Sequence, residues 1–340
     1  MWRIQFLVLM LFGILFAGCD TEQSKTKELG ANSAITKVTV KQVNDDWWEA
    51  EFTFHLPQKA VIFSRSLNDY RGQSWRSIDP NATFERIGGF DAILFNDATK
   101  KTSFKFRPYS GKVRREYTPF IPFSDGSYAV YTGQFEVLGI ESRAAIESLD
   151  GRLDTWSGQQ GQLAVRVESP HPLILKGEIL RDHATYTSKV GYTYIYVGTA
   201  KITQGKDFSG VIDTGLPKWI NDRFDNDLSE IFTAHRELWE VNLEEKSTVL
   251  LSFKGFDNEG FSNKGGALGN LLTLELSGSA LKKENQKILQ YIHWFFAHEV
   301  AHVFQSRDGN YVENLDENWM GEGAANAMAN QVLMHKKLAD

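Results

Sequence analysis

From Ala34 to about Gly205, apolar and polar residues mostly alternate along the chain. Lys37-Val38-Thr39-Val40-Lys41-Gln42-Val43 does so cleanly, as does Glu49-Ala50-Glu51-Phe52-Thr53-Phe54-His55-Leu56. A period of two puts every second side chain on one face, the signature of a half-buried strand. The same pattern predicts strands over Thr102–Phe106, Tyr128–Leu138, Leu163–Val167, Leu173–Leu180 and Tyr192–Val197. Turn-forming pairs such as Asp125-Gly126 and Ser169-Pro170 punctuate them. Short alternating strands in series predict antiparallel sheets packed as a sandwich.

The period changes near Asp213-Thr214-Gly215-Leu216-Pro217. From Lys218 to about Val241, Ile220, Phe224, Leu228, Ile231, Phe232 and Leu238 fall at helical spacing. Val249–Phe253 reads as a buried strand, and Asn263–Asn270 as a glycine-rich turn leading into Leu271–Leu276. Ser277 or Ser279 is placed to cap a helix running to about Gln305. That helix is apolar on nearly all sides in its second half, so it is expected inside the domain. A last helix is expected from near Asp316 to about Leu338, with Lys336 and Lys337 suiting its C-terminal end. The fold class is therefore α+β: a β-rich, sandwich-like region over 34–213, then a mixed region over 214–340.

Within the buried helix stands Ala297-His298-Glu299-Val300-Ala301-His302. Polar groups buried there need partners. His298 and His302, four apart, lie on one helical face and can offer imidazole nitrogens to one metal. Glu299, one position on, can reach a metal-bound water instead. A catalytic zinc takes three protein ligands and leaves a position open. Glu322, separated from His302 by nineteen residues and standing in Trp319-Met320-Gly321-Glu322-Gly323-Ala324-Ala325, is the expected third ligand. Asn326, one turn further, can orient a ligand histidine. His293 lies on another face of the helix and reads as structural, and Trp47-Trp48 reads as sheet packing.

The ends and the composition add to this picture. The net charge is -6 without a basic block, which makes nucleic acid a poor partner. The single cysteine, Cys19, leaves the fold without internal disulfides. It follows a short positive segment, an apolar run over Phe6–Phe16 and Ala17-Gly18. This arrangement resembles a bacterial lipoprotein signal. It implies removal of residues 1–18, lipidation of Cys19, a flexible tether over 19–33 and a place on the periplasmic side of the inner or outer membrane of the cell envelope.

The H-E-x-x-H helix, the nineteen-residue gap and Glu322 on a second helix resemble the gluzincin zinc metallopeptidases, with the spacing of thermolysin. The context of Glu322 is similar to that in aminopeptidase-N-like and glycyl-aminopeptidase-like enzymes, which also place a β-rich domain first. Their edge-strand motif has a counterpart in Gly265-Gly266-Ala267-Leu268-Gly269. The resemblance implies zinc as cofactor, Glu299 as general base, and a peptide or protein substrate lying along Gly265, Gly266, Ala267 and Leu268. Two features depart from it. No acidic residue occurs from Gly265 through Leu272, where those aminopeptidases carry a Glu for the substrate amine. The sequence ends eighteen residues after Glu322, before the helical domain that supplies their oxyanion donor. Tyr311 is the expected local substitute, Arg307 the second choice, and a partner completing the cleft is a further expectation. Two rival readings stay open: a non-catalytic envelope protein that keeps the scaffold for binding, and a zinc hydrolase of a non-peptide ester or amide.

Overall fold

The computed structural model describes residues 35–66, 68–113, 116–158, 161–188, 191–305 and 318–336. The leader, Cys19 and the tether lie outside these residues, as do Arg307 and Tyr311.

The architecture is α+β. A large N-terminal sheet holds eleven strands: β1 (Ile35–Gln42), β2 (Trp48–Phe63), β3 (Trp75–Ser77), β4 (Ala82–Ile87), β5 (Phe90–Phe106), β6 (Phe120–Pro122), β7 (Tyr128–Tyr131), β8 (Val137–Ile140), β9 (Gln162–Leu175), β10 (Glu178–Thr187) and β11 (Tyr194–Val197). Two short helices, α1 (Tyr70–Ser74) and α2 (Arg143–Ser148), interrupt the series. The main path runs β3-β5-β2-β1-β9-β11-β7-β6, with β4, β8 and β10 paired to its members. Alternation along β1 and β2 buries Val38, Val40, Trp48, Ala50, Phe52 and Phe54. The sheet coils until its ends share one core: the Phe106 ring meets Trp75 of β3 at 4.8 Å and Phe120 of β6 at 5.7 Å.

Several expectations need correction. The strands are hydrogen-bonded into one continuous sheet that coils on itself, and β1 pairs with β9 in parallel where antiparallel pairing was expected. Tyr128–Leu138 is two strands, split by a 3-10 turn at Thr132–Phe135. Leu173–Leu180 is a hairpin that reverses at Lys176 and Gly177, both with positive φ. Two such residues make the turn whose twist matches the flanking strands.

The second sheet holds β12 (Ile202–Gln204), β13 (Phe208–Ile212), β14 (Ser247–Phe253), β15 (Ser262–Leu268) and β16 (Leu271–Ser277), in the order β12-β13-β14-β16-β15. Helix α3 (Lys218–Trp239) crosses between the parallel strands β13 and β14, and α4 (Gln286–Gln305) and α5 (Asn318–Lys336) follow β16. Strands β12 and β13 precede the expected junction at Asp213, yet they belong to this sheet, because Phe208 and Ile212 pack into the core beneath the helices. Leu272, Leu274 and Leu276 face that core, while Leu271 on the opposite face meets Tyr194 and Tyr196 of the N-terminal region. Buried Asp213 links the two parts: its carboxylate accepts from the amides of Ser124 (3.0 Å) and Phe253 (2.9 Å).

The glycine-rich stretch expected as a turn is strand β15, at the sheet edge; Gly269 and Asn270 alone make the turn. The start of α4 also differs. Ser279–Lys282 is a 3-10 turn, and the cap is Asn285, whose side-chain oxygen accepts from the amides of Lys287 (3.0 Å) and Ile288 (3.3 Å).

Candidate metal centre

Helix α4 buries Ile288, Ile292, Phe296, Val300 and Val303 against α3 and the second sheet. This packing carries His298, Glu299 and His302 into the interior, all three buried. Helix α5 crosses α4, with Ala325, Ala329 and Val332 wholly buried, and so brings Glu322 to the same point. The result is a convergence of three donors. His298 Nε2 lies 3.1 Å from His302 Nε2 and 3.1 Å from one Glu322 oxygen, and His302 Nε2 lies 3.5 Å from the other oxygen. Zinc bonds of about 2.0–2.1 Å in tetrahedral array separate neighbouring donors by roughly 3.3 Å. The spacing therefore fits zinc, and two nitrogens with one carboxylate are the donor types it takes.

Hydrogen bonds around the cluster fix its orientation. His302 Nδ1 is 2.9 Å from Gln305 Oε1, and the Gln305 amide in turn donates to the Gly321 carbonyl at 3.2 Å. The glutamine oxygen thus calls for a proton on Nδ1, which leaves the Nε2 lone pair facing the cluster, as a metal requires. Gln305 was missed in the sequence, although its position three residues after His302 places it on the same face. The His298 ring stacks on Trp294 at 5.3 Å. Burial, and next the neighbouring His302, hold its pKa below the ordinary range, while Glu322 and a hydrogen bond accepted by Asn326 act in the opposite direction. Asn326 thus stands beside His298. His298 Nδ1 itself closes no hydrogen bond of ordinary geometry among the described residues.

Glu299 is buried next to His298 and reaches Ala267 of the edge strand β15. Burial pushes its carboxyl up to about 7, offset in part by the backbone N–H of Ala267, which donates to it; the Glu322 charge adds to the rise. In the β15–β16 hairpin Leu268 pairs with Leu271 and Ala267 with Leu272. A two-residue turn makes the first pair the one that exchanges backbone bonds, so Ala267, Gly265 and Asn263 turn their N–H and C=O groups outward. The expected substrate strand thus presents a free backbone edge next to Glu299. Gly265 has no room for a side chain, since a Cβ would stand 2.0 Å from the Thr273 carbonyl oxygen, whereas Gly266 faces open space.

His293 is elsewhere. Its Nε2 lies 2.8 Å from an Asp227 oxygen on α3, which also accepts from Arg223 at 3.0 Å. Trp48 packs against Phe120 and Tyr128 inside the sheet.

No known family profile matches the sequence, and no curated protein matches it. Solved structures do resemble it. An aminopeptidase N family protein of Idiomarina loihiensis aligns over 88% of this chain and 54% of its own, at 12% identity and a TM-score of 0.50. Leukotriene A4 hydrolase of Saccharomyces cerevisiae aligns over 88% and 48%, at 14% identity and a TM-score of 0.42. The M1 zinc metallopeptidase of Deinococcus radiodurans aligns over 92% and 73%, at 13% identity and a TM-score of 0.39. The chain spans about half the length of the first two. The similarity is distant and is one of fold.

Proposed function

We propose that this chain is a zinc-dependent metallopeptidase of gluzincin type. The observation that carries the reading is the spacing of His298, His302 and Glu322, with Glu299 buried beside them and bonded to the edge strand. His298, His302 and Glu322 would hold zinc, which supplies a Lewis acid for a peptide carbonyl and lowers the pKa of water. The chain's own residues do the rest. A peptide pairs with the outward backbone groups of Gly265 and with the Ala267 carbonyl, which holds it extended with one carbonyl at the cluster. Glu299 takes a proton from the attacking water on its carboxylate and passes it to the departing amine nitrogen. Its raised pKa suits both halves of that transfer near neutral pH. The Ala267 N–H orients the carboxylate while leaving a lone pair for the water. Tyr311 is put forward as the oxyanion donor and Cys19 as the lipid anchor holding the enzyme in the cell envelope.

The test is a digest of a peptide library by zinc-loaded protein, with ester substrates alongside and Glu299→Gln as control. Peptide-bond cleavage that falls about 10²- to 10⁴-fold in the variant, with zinc retained, is expected. Zinc-loaded protein that cleaves no peptide, or cleaves equally as Glu299→Gln, would overturn the reading in favour of a binding role. Turnover of esters alone would assign a different leaving group.

A further inference from the structure

The edge strand has a second face. Alternation along β15 turns Lys264 and Gly266 away from α4, opposite Glu275 and Thr273 of β16. There they line a cavity of about 450 Å³ between the hairpin and the N-terminal region, with Arg65, Glu116 and Thr118 on the far wall. Ala267, whose N–H holds Glu299, lines the same cavity, so it opens onto the proposed substrate strand. Gly266 contributes no side chain and leaves the space free.

The lining carries two cations, Arg65 and Lys264, and two acids, Glu116 and Glu275. Both acids are already engaged: Glu116 by Arg65 at 2.6 Å, and Glu275 by Lys254 at 3.0 Å. The Lys264 ammonium donates to the Thr118 hydroxyl, and no carboxylate lies within ion-pair distance of it among the described residues. The residue is exposed at the sheet edge; the Glu275 carboxylate opposite it on β16 acts on its charge, and two further ammonium groups, Lys254 and Lys112, act against that. An ammonium bonded to one neutral hydroxyl retains donor capacity for an anion.

We propose that this cavity is a subsite for a carboxylate of the substrate peptide, received by the Lys264 ammonium. Lys264 stands three residues before Ala267, about 10 Å along a strand. The carboxylate recognised therefore lies within about three residues of the bond under attack. This deepens the metallopeptidase reading and rests on it. A carboxylate reaches the subsite either from an Asp or Glu side chain or from the peptide's own C-terminus, and the chemistry of recognition is the same.

The test is equilibrium binding to the full chain as Glu299→Gln, loaded with zinc so that nothing is turned over. The probe is an N-acetylated, fluorescently labelled hexapeptide of alanine and leucine in three forms: a neutral C-terminal amide, the same peptide with a free C-terminal carboxylate, and the amide with one leucine replaced by glutamate. At least one carboxylate form is expected to bind about tenfold tighter than the neutral amide, and which one does so identifies the source. Adding Lys264→Gln should close that gap, while Lys264→Arg should keep it and shows that the strand is intact. Equal affinities for all three forms, no binding of any, or a gap that survives Lys264→Gln would overturn the proposal. Cleavage of the neutral peptide by wild-type protein is scored separately. If cleavage fails while the gap stands, the metallopeptidase reading falls and the carboxylate subsite does not.

Discussion

His293 and His298 share a helix, lie five residues apart and are both buried, but they face different partners. His293 meets the Asp227 carboxylate at 2.8 Å, and Arg223 completes the same carboxylate from α3. In that cluster one acid is shared by a ring and a guanidinium, although His293 Nδ1 is buried without a hydrogen-bond partner among the described residues. His298 meets a second imidazole and a carboxylate, and the donor atoms of all three lie within 4.8 Å of one another. Such a cluster can hold a cation. What separates the two histidines is how many metal-binding atoms converge on one point, since burial is common to both.

The comparison can be broken in several ways. Asp227→Ala leaves His293 buried without its acid and should cost about 4 kcal/mol of stability in urea unfolding. Zinc stoichiometry of the folded fraction should not change; loss of zinc there would mean that the two clusters are one. His235 supplies a third environment. Among the described residues its Nε2 bonds only the Ala297 carbonyl, at 2.7 Å, and its Nδ1 is buried without a partner; burial lowers its pKa from 6.5 to about 4. Between those values the unfolded chain binds a proton that the folded chain refuses. The contribution of this neutral ring is therefore complete above about pH 6.5 and is lost as pH falls toward 4, by about 3 kcal/mol in all. Unfolding at pH 5 and pH 7 should show a smaller difference in His235→Phe than in wild type. An unchanged difference would mean that another group titrates there. The mildest probe is Gln305→Ala, which removes the partner of His302 Nδ1. It should weaken zinc affinity about 10- to 100-fold with little change in stability; unaltered affinity would show that the ring orients without it.

The convergence of His298, His302 and Glu322 could be read from the sequence, because helical spacing alone places the two histidines on one face and the motif around Glu322 supplied the third residue. Strand β1 and the first half of β2 were equally plain, since alternate residues there are buried, whereas Ala60, Val61, Ile62 and Phe63 at the end of β2 are buried on both faces. The coiled closure of the large sheet was hidden, because it depends on which distant strands meet, and alternation is silent about partners. The edge-strand role of the glycine-rich stretch was legible from the resemblance, but composition alone reads it as a turn: glycines favour turns, and only the close approach of Gly265 to the Thr273 carbonyl explains one within a strand. The Asp227 partnership left a trace that was passed over, an acidic residue three positions after Phe224 on the apolar stripe of α3. Ala267 as the partner of Glu299 left none, because it acts through its backbone.

Metal content tests the central claim most directly. Elemental analysis of the purified protein after zinc loading and dialysis, with Glu322→Ala treated in parallel, should find about one zinc per chain in wild type and a loss of most of it in the variant. Wild-type protein that retains no zinc, or a variant that retains as much, would contradict the account of His298, His302 and Glu322 as one metal centre.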